Sequence, residues 1–250
     1  MRCLVVETGI LRNAHLKFSS PQFVAEQIDF VLRLLGYRPI RPLEQGHSHH
    51  KVPVPEGVQT QDFLISMLTG GWISIYNDDF YLMEEVARRL TGVLSTRGFY
   101  LWAEEGKAWG YSYHLNGKLE DEFCSAIEEL YEMLFDSPPT MEERARLAGN
   151  PKQLLADFNV RTVSPEYVAK LFRVDQSYSK GCMVKFAQLF GIETAGRTFQ
   201  TIMALDEAEK YGRERFTLLR YVFTDEKSEE ERPTPPSPQD EDIEVVVDDL

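Results

Sequence analysis

Three histidines in four residues, within Gly46-His47-Ser48-His49-His50, are the side chains best suited to metal chemistry in this 250-residue chain. Imidazole suits Zn²⁺, Ni²⁺ and Cu²⁺. A catalytic zinc needs three well-placed ligands and an open position, and here neither an HExxH motif nor a nearby cysteine completes the set. His47, His49 and His50 are therefore the metal candidates, with zinc the cofactor they suit. The default for such a run is a solvated loop that holds no cofactor.

Carboxylates form the next group: Asp78-Asp79, Glu104-Glu105 and Glu120-Asp121-Glu122. Paired carboxylates can move protons or hold Mg²⁺. Asp78 and Asp79 are also suited to cap a helix, and alternating charge is normal on a half-exposed strand. Asp121 is the exception. Strand alternation places it with Leu119 and Phe123 on an apolar side, opposite Glu120 and Glu122, so it calls for a buried partner.

The aromatic residues Trp109, Tyr111 and Tyr113, with Tyr100 and Trp102, have the composition of a stacking platform for a base or sugar. The charges around them are mainly Glu104, Glu105, Glu120 and Glu122 rather than Lys or Arg, which favours core packing. Residues 164–190 have the pattern of a helix-turn-helix, but 150–223 carries a net charge of only +3, from eleven basic and eight acidic residues. A DNA reader has a stronger basic footprint. No GxxxxGK[ST], GxGxxG or GxSxG is present. Cys3, Cys124 and Cys182 form no CxxC and read as small apolar residues in a reducing compartment.

The elements that must position these groups are legible in parts. Residues 3–7 read as a buried strand. Ser20-Pro21 starts a helix whose face is Val24, Ile28, Val31, Leu32 and Leu35, stopped by Gly36. Four prolines and two glycines make 37–61 a long loop. Trp72–Tyr76 alternates as a strand, and Met83, Val86, Ala87, Leu90 and Leu94 form a helical stripe. Runs at 99–103, 109–115 and 119–123 make an antiparallel meander, with Asn116-Gly117 as its type I′ turn. Capping boxes are expected at Ser125–Glu128 and Thr140–Glu143. Helices follow Ser164-Pro165, over 183–190 and over 198–211, and Phe216–Phe223 reads as a strand returning to the sheet. The expected class is α+β: an antiparallel or mixed sheet carrying the meander and packed by helices, then a helical region, then a disordered acidic tail. The units read as 1–136, 140–223 (in the same domain or apart from it) and 224–250.

Charge sharpens the picture of the tail. From Thr224 to Leu250 eleven acids face Lys227 and Arg232, a net −9, so the other 223 residues keep only −4 of the total −13. That balance disfavours nucleic acid and anionic membranes as partners and favours solubility or a basic partner. Residues 1–10 lack the apolar core of a signal peptide, and no apolar run reaches the length of a membrane span, so a cytoplasmic location is expected. The tail ends in Ile243-Glu-Val-Val-Val247 with Asp248 and Asp249 beside it. A β-branched run flanked by acids suits strand addition to the sheet edge of another protein. It resembles the SUMO-interacting motif, with Ile243, Val245, Val246 and Val247 at the matching positions.

Trp72-Ile-Ser-Ile-Tyr76, together with Asn116-Gly-Lys-Leu-Glu-Asp-Glu-Phe-Cys-Ser125, resembles a group of uncharacterised bacterial α+β proteins in which a W-x-x-x-Y strand, a helix and such a hairpin recur. The resemblance implies no activity and no catalytic residue. The expectation is a non-enzymatic interaction or regulatory protein of bacterial type, an immunity or defence-system accessory. The alternatives are a metal-dependent enzyme built on His47, His49 and His50, and a helix-turn-helix regulator using 164–190.

Overall fold

The computed structural model describes residues 10–40, 60–77, 80–174, 176–202 and 216–223. Its strands are β1 (Ile10–Leu16), β2 (Tyr37–Pro39), β3 (Thr60–Ser66), β4 (Ile73–Tyr76), β5 (Arg97–Glu104), β6 (Ala108–Leu115), β7 (Lys118–Cys124) and β8 (Phe216–Phe223). The helices are α1 (Pro21–Leu34), α2 (Phe80–Val93), α3 (Ile127–Phe135), α4 (Met141–Arg146), α5 (Pro151–Asp157), α6 (Pro165–Phe172) and α7 (Ser179–Leu189). All eight strands form one antiparallel sheet in the order β2-β8-β3-β4-β1-β5-β6-β7. The α+β expectation holds.

β1 is the hinge of the topology. Both β4 and β5 pair antiparallel with it, so they run parallel to each other with β1 between them, and α2 makes the crossover on one face. Interior strands buried on both faces must be apolar on both, and β4 is buried at every position. One face carries α1 and α2: Val24, Ile28, Val31 and Leu32 of α1 and Met83, Val86 and Leu90 of α2 pack on Ala14, Leu16, Ile73, Ile75 and Tyr100. The other carries α5, α6 and α7: Leu154, Val168, Met183 and Phe186 pack on Leu11, Trp72, Phe99, Trp109 and Tyr111. Burying each such side chain contributes roughly 1.5–3 kcal/mol.

Local chemistry explains the element ends. Ser20 Oγ accepts from Phe23 N at 3.2 Å with Pro21 in the first turn of α1, and Ser164 caps α6 in the same way. Thr140 and Glu143 form a reciprocal capping box on α4. Asn116 and Gly117 turn the meander at φ 51° and 80°, the left-handed values a type I′ turn requires. Gly110 is needed for a different reason. Trp102 lies against it, and a Cβ there would stand 2.6 Å from the ring and 2.4 Å from Phe123 O.

Several expectations are corrected. The 37–61 segment has strand residues at both ends: Tyr37–Pro39 forms a short edge strand, where proline is tolerated, and β3 begins at Thr60. Residues 41–59, the strand expected at 3–7 and the caps Asp78 and Asp79 lie outside the described residues, as does 224–250. Only 199–202 of the helix expected over 198–211 is described. The box at Ser125 does not form: α3 starts after Ala126, and Ser125 Oγ instead accepts from Trp109 N at 3.0 Å across the hairpin. β8 does return to the sheet, entering between β2 and β3, where Arg220 makes a bidentate pair with Asp62 at 2.7 Å. Among the described residues no helix is long and apolar enough to cross a membrane.

Candidate functional site

The most chemically suggestive geometry grows from β1, whose Asn13 and His15 point into the face beneath the chain that follows α7. His15 and Ser74 are register partners, and Ser74 Oγ lies 2.8 Å from His15 Nδ1. His15 Nε2 lies 2.8 Å from Asn13 Oδ1, while Asn13 Nδ2 donates to Ala195 O at 2.9 Å and to Arg197 O at 3.1 Å. Those two amide bonds orient Asn13 and present its oxygen to the ring. Nε2 therefore carries the proton, and Nδ1 accepts from the Ser74 hydroxyl. Thr194 Oγ1 completes the chain 2.6 Å from Ser74 Oγ, and Tyr76 Oη donates to Thr194 O at 3.2 Å.

A hydroxyl, an imidazole and an orienting amide in line are the parts of a nucleophile–base–orienter triad. Two observations decide against that chemistry. Asn13, His15 and Ser74 are each no more than 1% exposed, so no substrate reaches the hydroxyl. Burial also lowers the His15 pKa to about 3, which makes it a poor base at neutral pH. The arrangement is a latch that ties the 194–197 segment to the middle of the sheet. Trp72 assists by donating its indole N–H to Phe190 O at 2.8 Å, at the end of α7.

Asp121 has the buried partner its position called for. Its Oδ2 accepts from Tyr111 Oη at 2.6 Å and from Asn150 N at 2.9 Å. Asn150 caps α5, so one carboxylate fastens the edge strand to both the meander and the helical layer. Burial raises the Asp121 pKa, against the pull of those hydrogen bonds. The shared face with Leu119 is not found. Tyr113 faces Asp121 while His114 faces Leu119, so one extra residue, Glu120, bulges out and puts Leu119 and Asp121 on opposite faces.

On the opposite face Ser112 donates to Glu84 Oε1 at 2.7 Å, and Glu122, the register partner of Ser112, reaches Arg146 Nη1 at 3.1 Å. Burial first, then Glu84 and Asp121 nearby, raise the Glu122 pKa, while Arg146 opposes them. Each of these carboxylates is taken up by a hydroxyl or a guanidinium that joins two elements.

The aromatic residues Tyr100, Trp109, Tyr111 and Tyr113 are all buried. Tyr111 stacks on Phe186 of α7 at 4.7 Å, and Phe99 sits at the centre of Trp72, Tyr111, Tyr113, Phe158, Phe186 and Phe190. They form core rather than a platform. In the 164–190 segment Val168, Leu171, Met183 and Phe186 are spent on the same core, leaving Lys170 and Lys185 outward. Cys124 and Cys182 are buried thiols, and burial pushes the Cys124 pKa up to about 11.

His47, His49 and His50, and the tail residues Ile243, Val245, Val246, Val247, Asp248 and Asp249, lie outside the described residues. Among the described residues no three His, Cys, Asp or Glu side chains are grouped to hold a metal. The Asn13–His15–Ser74–Thr194 network was missed in the sequence because its members are spread over 181 positions in no motif; Asn and His inside a strand would have been the only clue. The chain matches no protein-family model, no curated protein and no solved structure in the comparisons made.

Proposed function

We propose that this chain acts by binding another protein rather than by catalysing a reaction. The observation that carries the reading is the outward face of α1. Phe23, Phe30 and Leu34 recur at i, i+7 and i+11, which on a helix makes one stripe, and they are 43%, 49% and 60% exposed. The other side of the same helix is already buried through Val24, Ile28, Val31 and Leu32. A surface helix normally turns charged residues outward. One that is apolar on both sides has a second face to cover, and Phe18, stacked on Phe23 at 5.9 Å, widens it. This pattern is how a helix presents itself to a groove on a partner. The β-branched end of the acidic tail is a second contact element on the same reading.

Capture by the tagged full-length chain tests this. Phe23→Glu with Phe30→Glu should leave the melting temperature nearly unchanged, because both side chains stand in water, and should abolish recovery of the partner identified with the parent chain. Equal recovery by parent and variant, and by a chain ending at Phe223, would remove the interaction reading.

A further inference from the structure

The α3–α4 hairpin ends in a tip that the fold braces but does not use. Asp136, at φ 51°, stops α3, Ser137-Pro138-Pro139 turns the chain, and the Thr140–Glu143 capping box starts α4. Arg144 clamps the two helices by a bidentate pair with Glu128 at 2.7 and 2.9 Å, and Arg146 ties α4 to Glu122 on β7. At the base Tyr131, Leu147 and Cys124 pack together with Ile127 and Leu130. Leu134, Phe135 and Met141 take no part in this and are 49%, 61% and 77% exposed. A braced apolar tip loses little conformational freedom on docking, so its burial converts efficiently into affinity.

The charge around the tip selects the partner. From Leu119 to Glu143 there are nine acids and no lysine or arginine. Glu132, Asp136 and Glu142 are exposed beside the three apolar side chains. We infer that the tip of the α3–α4 hairpin, with Phe135 and Met141 at its centre, docks into an apolar pocket rimmed by Lys and Arg on a partner protein. Nucleic acid and anionic lipid are repelled. So are a second copy of the same tip and the chain's own tail, which carries −9. The surface presupposes an interaction protein and is separate from the α1 stripe.

Site-specific photo-crosslinking on the full-length chain in the producing cell tests it, with benzoylphenylalanine at position 135 and, in a separate chain, at position 30. The expected result at 135 is a covalent adduct with one protein, identified by mass spectrometry, whose crosslinked peptide lies among Lys and Arg residues. Binding of the purified partner should weaken with NaCl, and by roughly tenfold or more with Glu132→Lys/Asp136→Lys/Glu142→Lys. Phe135→Ser is the second variant, should charge reversal disturb folding, and should weaken binding to the same extent. An adduct at 135 only with a second copy, with the chain's own tail or with an acidic surface overturns the inference. No adduct at 135 alongside a partner at 30 overturns it too, while the interaction reading stands. Adducts at neither position remove both.

Discussion

The Ser74 hydroxyl donates to the His15 imidazole at 2.8 Å from the directly opposite position on the neighbouring strand, in a site closed to water. The pair resembles a nucleophile and its base, yet its measurable consequence is thermodynamic. The His15 pKa is about 3 in the folded chain and near 6.5 in the unfolded one, so below pH 6.5 the unfolded state binds the extra proton. Stability is full above that value and falls as the pH drops toward 3, by at most about 1.4 kcal/mol per pH unit from this group. His114, lowered to about 4 mainly by burial, acts in the same direction. His15→Gln should lower stability at pH 7 and reduce the slope of urea-unfolding free energy between pH 6.5 and 4.5. An unchanged slope would show that His15 is not held neutral. A fluorophosphonate probe should leave Ser74 of the native chain unlabelled.

Asp121 supports a second prediction, because one carboxylate oxygen serves both Tyr111 and Asn150. Asp121→Ala leaves the buried Tyr111 hydroxyl without its acceptor and α5 without its tie, at a cost of about 2–3 kcal/mol. Asp121→Asn keeps an accepting oxygen and removes a charge that burial disfavours, so it should cost less than about 1 kcal/mol. A double-mutant cycle of Tyr111→Phe with Asp121→Ala should show about 1 kcal/mol of coupling in chemical unfolding. Independent effects would mean the hydroxyl has another acceptor.

What was legible in the chain was whatever neighbouring residues decide. Asn116-Gly117 announced the meander, Ser20, Thr140 and Ser164 announced helix starts, and Asp121 announced a buried partner. β1 was hidden because Arg12, Asn13 and His15 break its apolar pattern. Their reasons for being there are Ser74 and the 194–197 segment, 59 positions or more away in the chain. β3 was hidden by its polar opening, Thr60-Gln-Asp62, where Asp62 waits for Arg220. Ser125 had the form of a helix cap but was claimed across the hairpin by Trp109 N. Each miss is a polar residue whose partner is distant, and hydropathy patterns carry no trace of the partner. The exposed faces of α1 and of the α3–α4 tip were missed for the opposite reason: their apolar residues look like core until the fold turns them outward.

Two glycines separate packing from propensity. At Gly110 a methyl group meets Trp102 and Phe123 O well inside contact distance, so Gly110→Ala should cost about 1–3 kcal/mol and perturb tryptophan fluorescence. At Gly181, in α7, a Cβ meets nothing within 4 Å, so Gly181→Ala should raise stability by up to about 1 kcal/mol through helix propensity. Thermal unfolding of the two variants reads the contrast directly. Equal effects would mean that Trp102 does not rest on Gly110.

The acidic tail offers the last test, because its two readings predict opposite responses to deletion. Ile243, Val245, Val246 and Val247 have the β-branched character to join a sheet edge, and the flanking acids prefer a basic rim. The outer edge of β7 is already met at its end by Leu147 and Ala148, and its remaining residues are Lys118 to Glu122, of which three are acids that repel the tail. Docking onto another protein is therefore favoured over docking onto β7. Deleting 240–250 should leave the melting temperature within about a degree of the parent, since a partner-directed segment contributes nothing to the isolated fold. Capture of the partner should weaken, and Val245→Asp with Val246→Asp should reproduce the loss in the intact chain. A drop of several degrees on deletion would place the segment on its own sheet instead, and unaltered capture would remove it from the interface altogether.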